Sequence, residues 1–336
     1  MESVAVLGGG AWGTALAQML ASDGRDVLMW VREPEVVEDI NANHRNSRFL
    51  PNAELASTIR ATDDLAEIAE ADVVLAVVPA QHLRSVLADM PDFAGDLVIC
   101  AKGIEQSTGA LMSDVAAEAC PQATLAALSG PTFAHEVAAG LPAAVTLACG
   151  GGEAQWERLS PVIARPHFRP YYSADLIGAE IGGAVKNVLA IACGVVDGLK
   201  LGQNARNALI ARGFAEMVRF GETLGAERAT LTGLCGLGDL VLTCSSTSSR
   251  NFSLGKAIGE GQSATDLMAD RHTVAEGAHT APVLQRLARE KGIEMPIVDA
   301  VVALLDGAGA RSIVDGCTTS AAGSTQLCKR HGGGKR

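Results

Sequence analysis

Residues 4–17 read Val-Ala-Val-Leu-Gly-Gly-Gly-Ala-Trp-Gly-Thr-Ala-Leu-Ala, an apolar run that leads directly into a glycine-rich turn. The unbroken apolar run over 4–7 is typical of a strand that is buried on both faces of a parallel sheet. Gly8, Gly10 and Gly13 fit the pattern Gly-x-Gly-x-x-Gly. In that pattern the glycines make the tight turn, admit a pyrophosphate to the backbone and let the next helix lie close to the strand. Because the N–H groups at the start of that helix would bind the phosphates, the stretch predicts a dinucleotide site.

The residues that follow the glycine motif support this interpretation. A helical pattern over 12–22 ends at Gly24, and a second apolar run covers 27–31. Strand, glycine turn, helix and strand together have the length of roughly 30 residues that one βαβ unit needs. We therefore expect a Rossmann-type fold.

The tip of the second predicted strand bears on which cofactor binds. An acidic residue there would hydrogen-bond the adenosine 2′-hydroxyl of NAD, whereas an arginine would pair with the 2′-phosphate of NADP. The chain has Arg32 followed by Glu33. Arg32 favours NADP(H), Glu33 leaves NAD(H) open, and the third interpretation is that both are solvated loop charges.

Length and composition limit the kind of protein this is. With 336 residues, of which 48% are hydrophobic and 19% charged, the chain is long enough for two domains with large cores. The net charge of −11 argues against nucleic acid as the main partner, because nucleic-acid phosphates require a basic surface, but it permits a small phosphorylated substrate. The eight cysteines lack Cys-x-x-Cys spacing and no signal peptide is recognisable, so we expect a cytoplasmic protein with reduced thiols and no metal site. The longest apolar region, 177–196, contains Glu180 and Lys186 and is too polar for a transmembrane segment.

The order of the predicted elements divides the chain into two parts. Strands that alternate with helices indicate an α/β domain with a doubly wound, mostly parallel sheet, and helical patterns alone follow after about residue 174. The predicted strands cover 4–8, 26–31, 58–61, 72–78, 96–100, 124–129, 142–149 and 167–172, and the predicted later helices cover 175–199, 207–224 and 296–306. We therefore predict a Rossmann-type domain over 1–175, an all-helical C-terminal substrate domain over 176–328 and a disordered basic tail over 329–336.

Two loops that follow predicted strands carry candidate site residues, because ligands bind at the carboxyl ends of strands in such sheets. Lys102 would face the cofactor cleft, or it is an exposed loop lysine. In the segment 129–134, Gly130 permits close approach of a ligand to the backbone, and a helix that starts at the next residue would carry Thr132 and Ala134. The alternative for this segment is an ordinary turn between a strand and a helix.

The predicted helix 175–199 carries a candidate acid–base group, Lys186. It lies among glycines and apolar residues, so it must reach the surface, pair with an anion or work in a site. Desolvation would lower its pKa, and a nearby carboxylate would raise it again. Asp239 stands in a glycine-rich, otherwise apolar stretch and could bind the ammonium group of Lys186, or it is a helix N-cap.

A hydroxyl-rich segment suggests a phosphate site. Ser249, Arg250 and Asn251 stand at its end, just before a helical pattern. An arginine and the N–H groups of a helix start can bind a phosphate dianion. A flexible serine-rich loop is the alternative.

Taken in order, these segments resemble the bacterial NAD(P)-dependent glycerol-3-phosphate dehydrogenases. The resemblance spans residues from about 4 to 310 and departs at 274–279, where the residues are smaller than is usual in the family. It rests on Gly-Ala-Trp-Gly-Thr-Ala-Leu-Ala at 10–17, Ala-Lys-Gly at 101–103, Leu-Ser-Gly-Pro-Thr-Phe-Ala at 128–134, Gly-Gly-Ala-Val-Lys-Asn-Val at 182–188, Asn-Ala-Arg-Asn-Ala-Leu at 204–209, Gly-Leu-Gly-Asp-Leu-Val-Leu-Thr-Cys at 236–244 and Ser-Arg-Asn at 249–251.

The resemblance implies a role for each candidate, with Lys186 as the catalytic acid–base group. The implied substrate site consists of Lys102, Gly130, Thr132, Lys186, Asp239, Ser249, Arg250 and Asn251. The expected cofactor site combines the motif glycines Gly8, Gly10 and Gly13 with the residues that the resemblance implies, namely Ala11, Trp12, Arg32, Lys102, Ala134, Arg250, Val274 and Glu276.

The expected reaction is therefore the NAD(P)H-dependent reduction of dihydroxyacetone phosphate to sn-glycerol 3-phosphate for glycerophospholipid synthesis, by an enzyme that we expect to be a homodimer. In this reaction C2 of the ketone receives a hydride and Lys186 protonates the developing alkoxide. One rival is another hydroxyacid dehydrogenase with a Rossmann domain and a helical domain, which would bind a carboxylate. The other is an NADP-binding redox sensor without catalysis, which would not need Lys186 and Asp239.

Overall fold

An eight-stranded sheet forms the first part of the chain in the computed structural model, which describes residues 3–269 and 275–314. The strands are β1 (Val4–Leu7), β2 (Val27–Trp30), β3 (Ile59–Thr62), β4 (Val73–Ala76), β5 (Asp96–Ile99), β6 (Thr124–Ser129), β7 (Ala143–Cys149) and β8 (Phe168–Ser173). They lie in the order β3-β2-β1-β4-β5-β6-β7-β8. Each predicted strand is present, with small differences at the ends.

Helices cover both faces of the sheet, and helices joined by loops form the rest of the described chain. They are α1 (Ala11–Ala21), α2 (Pro34–Asn43), α3 (Leu65–Ala69), α4 (Leu83–Asp89), α5 (Met112–Ala119), α6 (Ala134–Ala138), α7 (Gly152–Ile163), α8 (Leu176–Gly198), α9 (Gly202–Thr223), α10 (Arg228–Thr232), α11 (Asp239–Thr243), α12 (Arg250–Gly259), α13 (Ala264–Ala269), α14 (Glu276–Glu290) and α15 (Pro296–Leu305), with a 3₁₀ turn at Ala80–His82 and a π-helical turn at Leu234–Gly238. In β1, Val4 and Val6 join the core that contains α1, whereas Ala5 and Leu7 join the core on the opposite face with α4 and α5. This alternation confirms the doubly wound arrangement.

The direction of the strands changes once across the sheet. Strands β1 to β6 pair in parallel, β7 pairs antiparallel with β6, and β8 pairs parallel with β7. The connection between β6 and β7 contains only the short helix α6. The prediction of a mostly parallel sheet is confirmed, with this single reversal.

The second part of the chain is helical throughout its described residues. Helix α8 lies at its centre, and the predicted helix 175–199 is confirmed, with the Asp175 carboxylate accepting a hydrogen bond from Gly178 N as the N-cap. Helix α9 starts at Gly202, earlier than the predicted 207, and α15 matches the predicted helix 296–306. The basic tail over 329–336 lies outside the described residues.

Helix α8 is also the one helix in the described ranges that is long and apolar enough to cross a membrane. The apolar window of this helix is completely buried inside the protein. Burial on all sides is what a core helix shows, so its composition is weak evidence for a transmembrane segment.

Helices α8 and α12 pack backbone against backbone. A Cβ added at Gly194 would collide with the carbonyl oxygen of Phe252, and one added at Gly255 would collide with the carbonyl oxygen of Ile191. Further along, a Cβ at Gly259 would lie only 2.5 Å from the carbonyl oxygen of Val195. A Cβ at Gly198 would likewise collide with the carbonyl oxygen of Lys256, four residues after Phe252, so the two helices run in the same direction and the start of α12 lies beside the middle of α8.

Candidate active site

The glycine turn after β1 has the geometry that a pyrophosphate needs. Gly8 has φ +133°, which a residue with a side chain rarely adopts, and a Cβ at Gly13 would collide with the carbonyl oxygen of Gly8. A Cβ at Gly10 would meet no atom within 4 Å, so there is open space above the turn. Helix α1 starts at Ala11 without a side-chain cap, which leaves its first N–H groups available for an anion. These residues therefore fit a dinucleotide cofactor.

Of the other predicted cofactor residues, three lie on elements near this turn and one lies outside the described part of the chain. Arg32 follows β2, and its side chain is 73% exposed and 3.3 Å from Glu33 Oε1. Trp12 is in the first turn of α1, and its Nε1 is buried without a hydrogen-bond partner among the described atoms. Ala134 is the first residue of α6. Val274 is not among the described residues.

The segment after β6 differs from its prediction. A helix was predicted to begin beside Gly130, but α6 begins only at Ala134, so Thr132 lies in the turn. The Thr132 hydroxyl donates to the carbonyl oxygen of Gly130 at 3.3 Å, and that same oxygen accepts from Lys102 Nζ at 3.2 Å. The bond from Thr132 to Gly130 is local, and such a bond stabilises a turn in competition with a helix.

Two lysines from the two parts of the chain share one buried carboxylate. Lys186 Nζ donates to Asp239 Oδ1 at 2.6 Å, and Lys102 Nζ donates to Asp239 Oδ2 at 2.7 Å. The side chains of Asp239 and Lys186 are 0% and 7% exposed, and that of Lys102 is 17% exposed. The predicted pairing of Lys186 with Asp239 is confirmed, and Lys102 joins it from the carboxyl end of β5.

The backbone around Asp239 explains how its carboxylate reaches α8. Asp239 is the first residue of α11, directly after the π-helical turn Leu234–Gly238. A Cβ at Gly182 would collide with the carbonyl oxygen of Cys235, so the π turn and α8 touch through their backbones. Single π-helical turns of this kind often occur at functional sites.

Burial lowers the pKa of Lys186 to about 8, and the charge of Asp239 opposes part of this shift. The positive charge of Lys102 lowers the pKa further. An ammonium group with a pKa near neutral pH both donates and regains a proton readily, which is the property of a general acid.

Two polar residues that hydrogen-bond to Lys186, Asp239 or Lys102 were not predicted as site residues from the sequence. Thr243 accepts from Lys186 Nζ at 2.9 Å and donates to Asp239 Oδ1 at 3.3 Å. Asn187 donates from Nδ2 to the carbonyl oxygen of Lys102 at 3.4 Å. The available signals were the spacing of four residues between Asp239 and Thr243 on a helix, and an asparagine next to Lys186 in an apolar segment.

The predicted phosphate segment forms the start of α12. Ser249 is the N-cap, and its Oγ accepts from Phe252 N at 3.2 Å. The helix therefore begins at Arg250, not after Asn251 as the pattern predicted. Arg250 is exposed, whereas Asn251 is buried and donates from Nδ2 to Asn187 Oδ1 at 3.0 Å. This last bond connects the start of α12 to the residue beside Lys186.

Glu276, the first residue of α14, is a further predicted residue of this site. Burial raises the pKa of its carboxyl to about 7, and the positive charge of Arg250 opposes the rise. Its Oε2 atom is buried without a hydrogen-bond partner among the described atoms, so it is available as an acceptor for a bound group. A Cβ at Gly103 would lie 3.7 Å from that oxygen, which places Glu276 beside the loop that carries Lys102.

The arrangement suits the reduction of a carbonyl in an anionic molecule. It combines a proton donor, a second cation beside it and an arginine at a helix start, in a chain that also carries a dinucleotide turn. Within the described ranges, no group of three His, Cys, Asp or Glu side chains is placed to hold a metal ion, and the absence of a metal remains a prediction.

Two family models match nearly the whole described chain. The model of the N-terminus of NAD-dependent glycerol-3-phosphate dehydrogenase matches residues 3–155, and the model of the C-terminus matches residues 175–313. A protein of Erythrobacter litoralis named glycerol-3-phosphate dehydrogenase (NAD(P)+) is 70% identical over 311 residues, which are 93% of this chain and 94% of that protein. A protein of Novosphingobium aromaticivorans with the same name is 70% identical over 314 residues, 93% of this chain and 95% of that protein.

Solved structures of glycerol-3-phosphate dehydrogenases are also similar to this chain. The glycerol-3-phosphate dehydrogenase of Coxiella burnetii is 38% identical with a TM-score of 0.89, over 94% of this chain and 98% of that one. A yeast glycerol-3-phosphate dehydrogenase is 26% identical with a TM-score of 0.78, over 94% of this chain and 98% of that one.

Proposed function

The chain belongs to the NAD-dependent glycerol-3-phosphate dehydrogenase family, and on that premise we propose how its own residues carry out the reaction. It is an oxidoreductase that acts on a CH–OH group and interconverts dihydroxyacetone phosphate and sn-glycerol 3-phosphate. The observation that carries the residue assignment is the chain Lys102–Asp239–Lys186, in which a buried ammonium of lowered pKa is fixed by a shared carboxylate.

In reduction, Lys186 gives a proton from Nζ to the oxygen on C2 of the ketone as that oxygen gains negative charge. Asp239 and Thr243 fix the direction of the ammonium group through the bonds at 2.6 and 2.9 Å. Lys102 adds a second positive charge that stabilises the developing oxyanion. After the transfer Lys186 is a neutral amine, and it regains a proton from solvent before the next turnover.

The glycine turn and the start of α1 would hold the cofactor pyrophosphate, and Arg32 would pair with the 2′-phosphate of NADP(H). When bound, the reduced nicotinamide supplies the hydride that C2 accepts. NAD(H) lacks the 2′-phosphate, so it uses the same site without the contact to Arg32. We expect NADP(H) to be preferred, and the relatives named as NAD(P)+ enzymes are consistent with use of both.

Ser249, Arg250 and the first N–H groups of α12 bind the substrate phosphate. Arg250→Ala should raise KM for dihydroxyacetone phosphate by about tenfold or more, because it removes a charge-assisted hydrogen bond to a dianion. It should also lower kcat, since binding energy at the phosphate orients the carbonyl. Steady-state kinetics with unphosphorylated dihydroxyacetone is the control, because this poor substrate should be unaffected. Equal loss with both substrates would mean that Arg250 serves the cofactor or the fold.

Initial rates test the function itself. The protein should oxidise NADPH, and NADH more slowly, when dihydroxyacetone phosphate is added. A 2-keto acid of similar size is the control for the rival hydroxyacid dehydrogenase, and it should give almost no rate. Faster turnover of the keto acid, or no turnover with either compound, would contradict the proposal.

The cellular setting is also part of the proposal. We place the enzyme in the cytoplasm as a homodimer whose product enters glycerophospholipid synthesis. The six cysteines in the described ranges are buried and unpaired, which fits a compartment that keeps thiols reduced. Sedimentation equilibrium tests the dimer, and a monomer at micromolar concentration would contradict it.

A further inference from the structure

Both ends of the segment that carries Lys102 are attached to helix α8. We call residues 102–113 the Lys102 loop; it runs from the carboxyl end of β5 into the first turn of α5. At its start, the carbonyl oxygen of Lys102 accepts from Asn187 Nδ2 at 3.4 Å. At its end, Ser113 donates to the carboxylate of Glu180, from N to Oε1 at 2.7 Å and from Oγ to Oε2 at 2.6 Å.

These attachment points lie on one face of α8. Glu180, Gly183 and Asn187 are spaced by three and four residues, which places them in one row along a helix. A Cβ at Gly183 would lie 3.2 Å from Cγ of Lys102, so the stem of this lysine packs directly on the α8 backbone between the two attachments. The row therefore contacts the Lys102 loop at both of its ends.

The carboxylate of Glu180 replaces a missing helix cap. Helix α5 receives no side-chain hydrogen bond from its own N-cap residue, Leu111. Glu180 comes from the helical part of the chain and accepts the Ser113 N–H in the first turn, where a negative charge is favourable. Only 6% of Glu180 is exposed, and burial raises the pKa of its carboxyl to about 7 against the hydrogen bonds of Ser113. Burying a carboxyl group is unfavourable, so its presence indicates a task that an apolar residue would not perform.

We propose that Glu180 is a positioning residue: it fixes the far end of the Lys102 loop against α8 and so holds Lys102 Nζ where it meets Asp239 and the substrate. This inference rests on the proposed function, because it assigns Lys102 to the substrate site. Glu180 itself does not touch the reacting atoms. Its loss should therefore weaken substrate binding more than it slows the chemical step.

The chain offers a matched control in Glu216. This glutamate is also buried, at 2% exposed, and burial also raises the pKa of its carboxyl to about 7. It likewise accepts backbone N–H groups at a helix start, from Ile297 at 3.0 Å and Val298 at 3.4 Å. It differs from Glu180 in joining α9 to α15 within the helical part, away from the Lys102 loop.

Steady-state kinetics and thermal melting of Glu180→Gln and Glu216→Gln test the proposal. Thermal melting shows whether both variants are folded, and their melting temperatures should be equal to or below that of the wild type. Glu180→Gln should raise KM for dihydroxyacetone phosphate by about tenfold and change kcat by less than about threefold, because one charge-assisted hydrogen bond is lost away from the reacting atoms. Glu216→Gln should leave KM unchanged. Equal KM values in the two variants would overturn the proposal.

Ser113→Ala is the milder second variant. It removes the bond to Glu180 Oε2 and keeps the backbone bond, so KM should rise about fivefold with kcat retained. If Glu180→Gln does not fold, an unchanged KM in Ser113→Ala overturns the proposal instead. A wild type that does not reduce dihydroxyacetone phosphate would contradict the proposed function, and this result is distinguishable because it precedes any comparison of variants.

Discussion

The protonation state of Lys186 should set the pH range of the reaction in each direction. Burial lowers its pKa to about 8, so the proton-donating ammonium predominates below about pH 8 and the proton-accepting amine above it. We expect kcat/KM for reduction of dihydroxyacetone phosphate to fall as the pH rises through about 8. For oxidation of glycerol 3-phosphate, kcat/KM should rise through the same range. Initial rates between about pH 6 and pH 10 measure both limbs.

Lys186→Met provides the corresponding variant. Methionine fills a similar volume without a proton, so kcat should fall by about 10²-fold or more, the usual effect of a lost general acid. Binding of NADPH should change little, because its phosphate contacts are assigned to the glycine turn and Arg32 and not to Lys186. Retention of kcat, or of the limb near pH 8, would show that another group donates the proton.

Arg32 should decide how strongly the two cofactors differ. Arg32→Ala removes a partner of the 2′-phosphate, so the dissociation constant for NADPH should rise by about tenfold, as expected for one charge-assisted hydrogen bond. The dissociation constant for NADH should hardly change. Isothermal titration calorimetry with both cofactors measures the difference. An equal loss for the two would mean that Arg32 remains the solvated loop charge that its 73% exposure also permits.

The sequence allowed the main pair of the site to be predicted but not its neutral partners. A buried lysine and a buried aspartate each need an opposite charge, so two charged residues in apolar segments point to one another. Thr243 and Asn187 carry no charge, and threonine or asparagine in a helix also satisfies its hydrogen bonds locally. Their roles follow only from the crossing of α8, α11 and the Lys102 loop. The roles assigned to Gly130, Thr132 and Ala134 stay predictions.

At the level of elements, the packing of α12 on α8 controls where the phosphate site lies. A Cβ at Gly255 would collide with the carbonyl oxygen of Ile191, so Gly255→Ala must move α12 away from α8. We expect a loss of stability of about 1–3 kcal/mol from overpacking, and a higher KM because Arg250 moves with its helix. Urea denaturation and steady-state kinetics measure the two effects.

Gly309→Ala is the control for that variant, because a Cβ there meets no atom within 4 Å. It should change neither the denaturation midpoint nor KM. If Gly255→Ala behaves like Gly309→Ala, the helices have enough freedom to separate without consequence, and the backbone contact does not position the phosphate site.

Elements were predictable where one local property decides them. Buried parallel strands such as β1, β4 and β5 are nearly continuous apolar runs, which is why they could be found from the sequence. The reversal at β7 was not predicted, because an apolar run does not show whether its strand runs parallel or antiparallel to its neighbour, and α6 proved shorter than the pattern around Gly130 suggested. The start of α12 at Arg250 was also not predicted, because its N-cap Ser249 lies within a run of hydroxyl residues that resembles a loop.

For the whole molecule, three buried carboxyl groups should make stability depend on pH. Burial raises the pKa of Glu180, Glu216 and Glu276 to about 7, above the value of about 4.5 for an unfolded glutamate. The folded state therefore binds more protons than the unfolded state between these values, and stability is lost as the pH rises through about 7. We expect a higher melting temperature at about pH 6 than at about pH 8 in calorimetry.

The Glu216→Gln variant serves as the control here too. Glutamine has no proton to lose, so the difference in melting temperature between the two pH values should shrink. Each kcal/mol corresponds to about 1.5 °C for a chain of 336 residues, which is measurable. A wild-type melting temperature that rises from pH 6 to pH 8 would contradict the raised pKa values.

Helix α8 is buried at every residue from Gly178 to Val196, with neighbours on all sides. Its amide protons can therefore reach solvent only when the surrounding core opens, and they should belong to the slowest class in hydrogen exchange. Lys186 thus sits on the least mobile element of the molecule. The Lys102 loop is attached to α8 at both ends, so we expect any adjustment to an arriving substrate to come from the turn before α12. The proton donor should then stay in place while the groups that bind the phosphate adjust to the substrate.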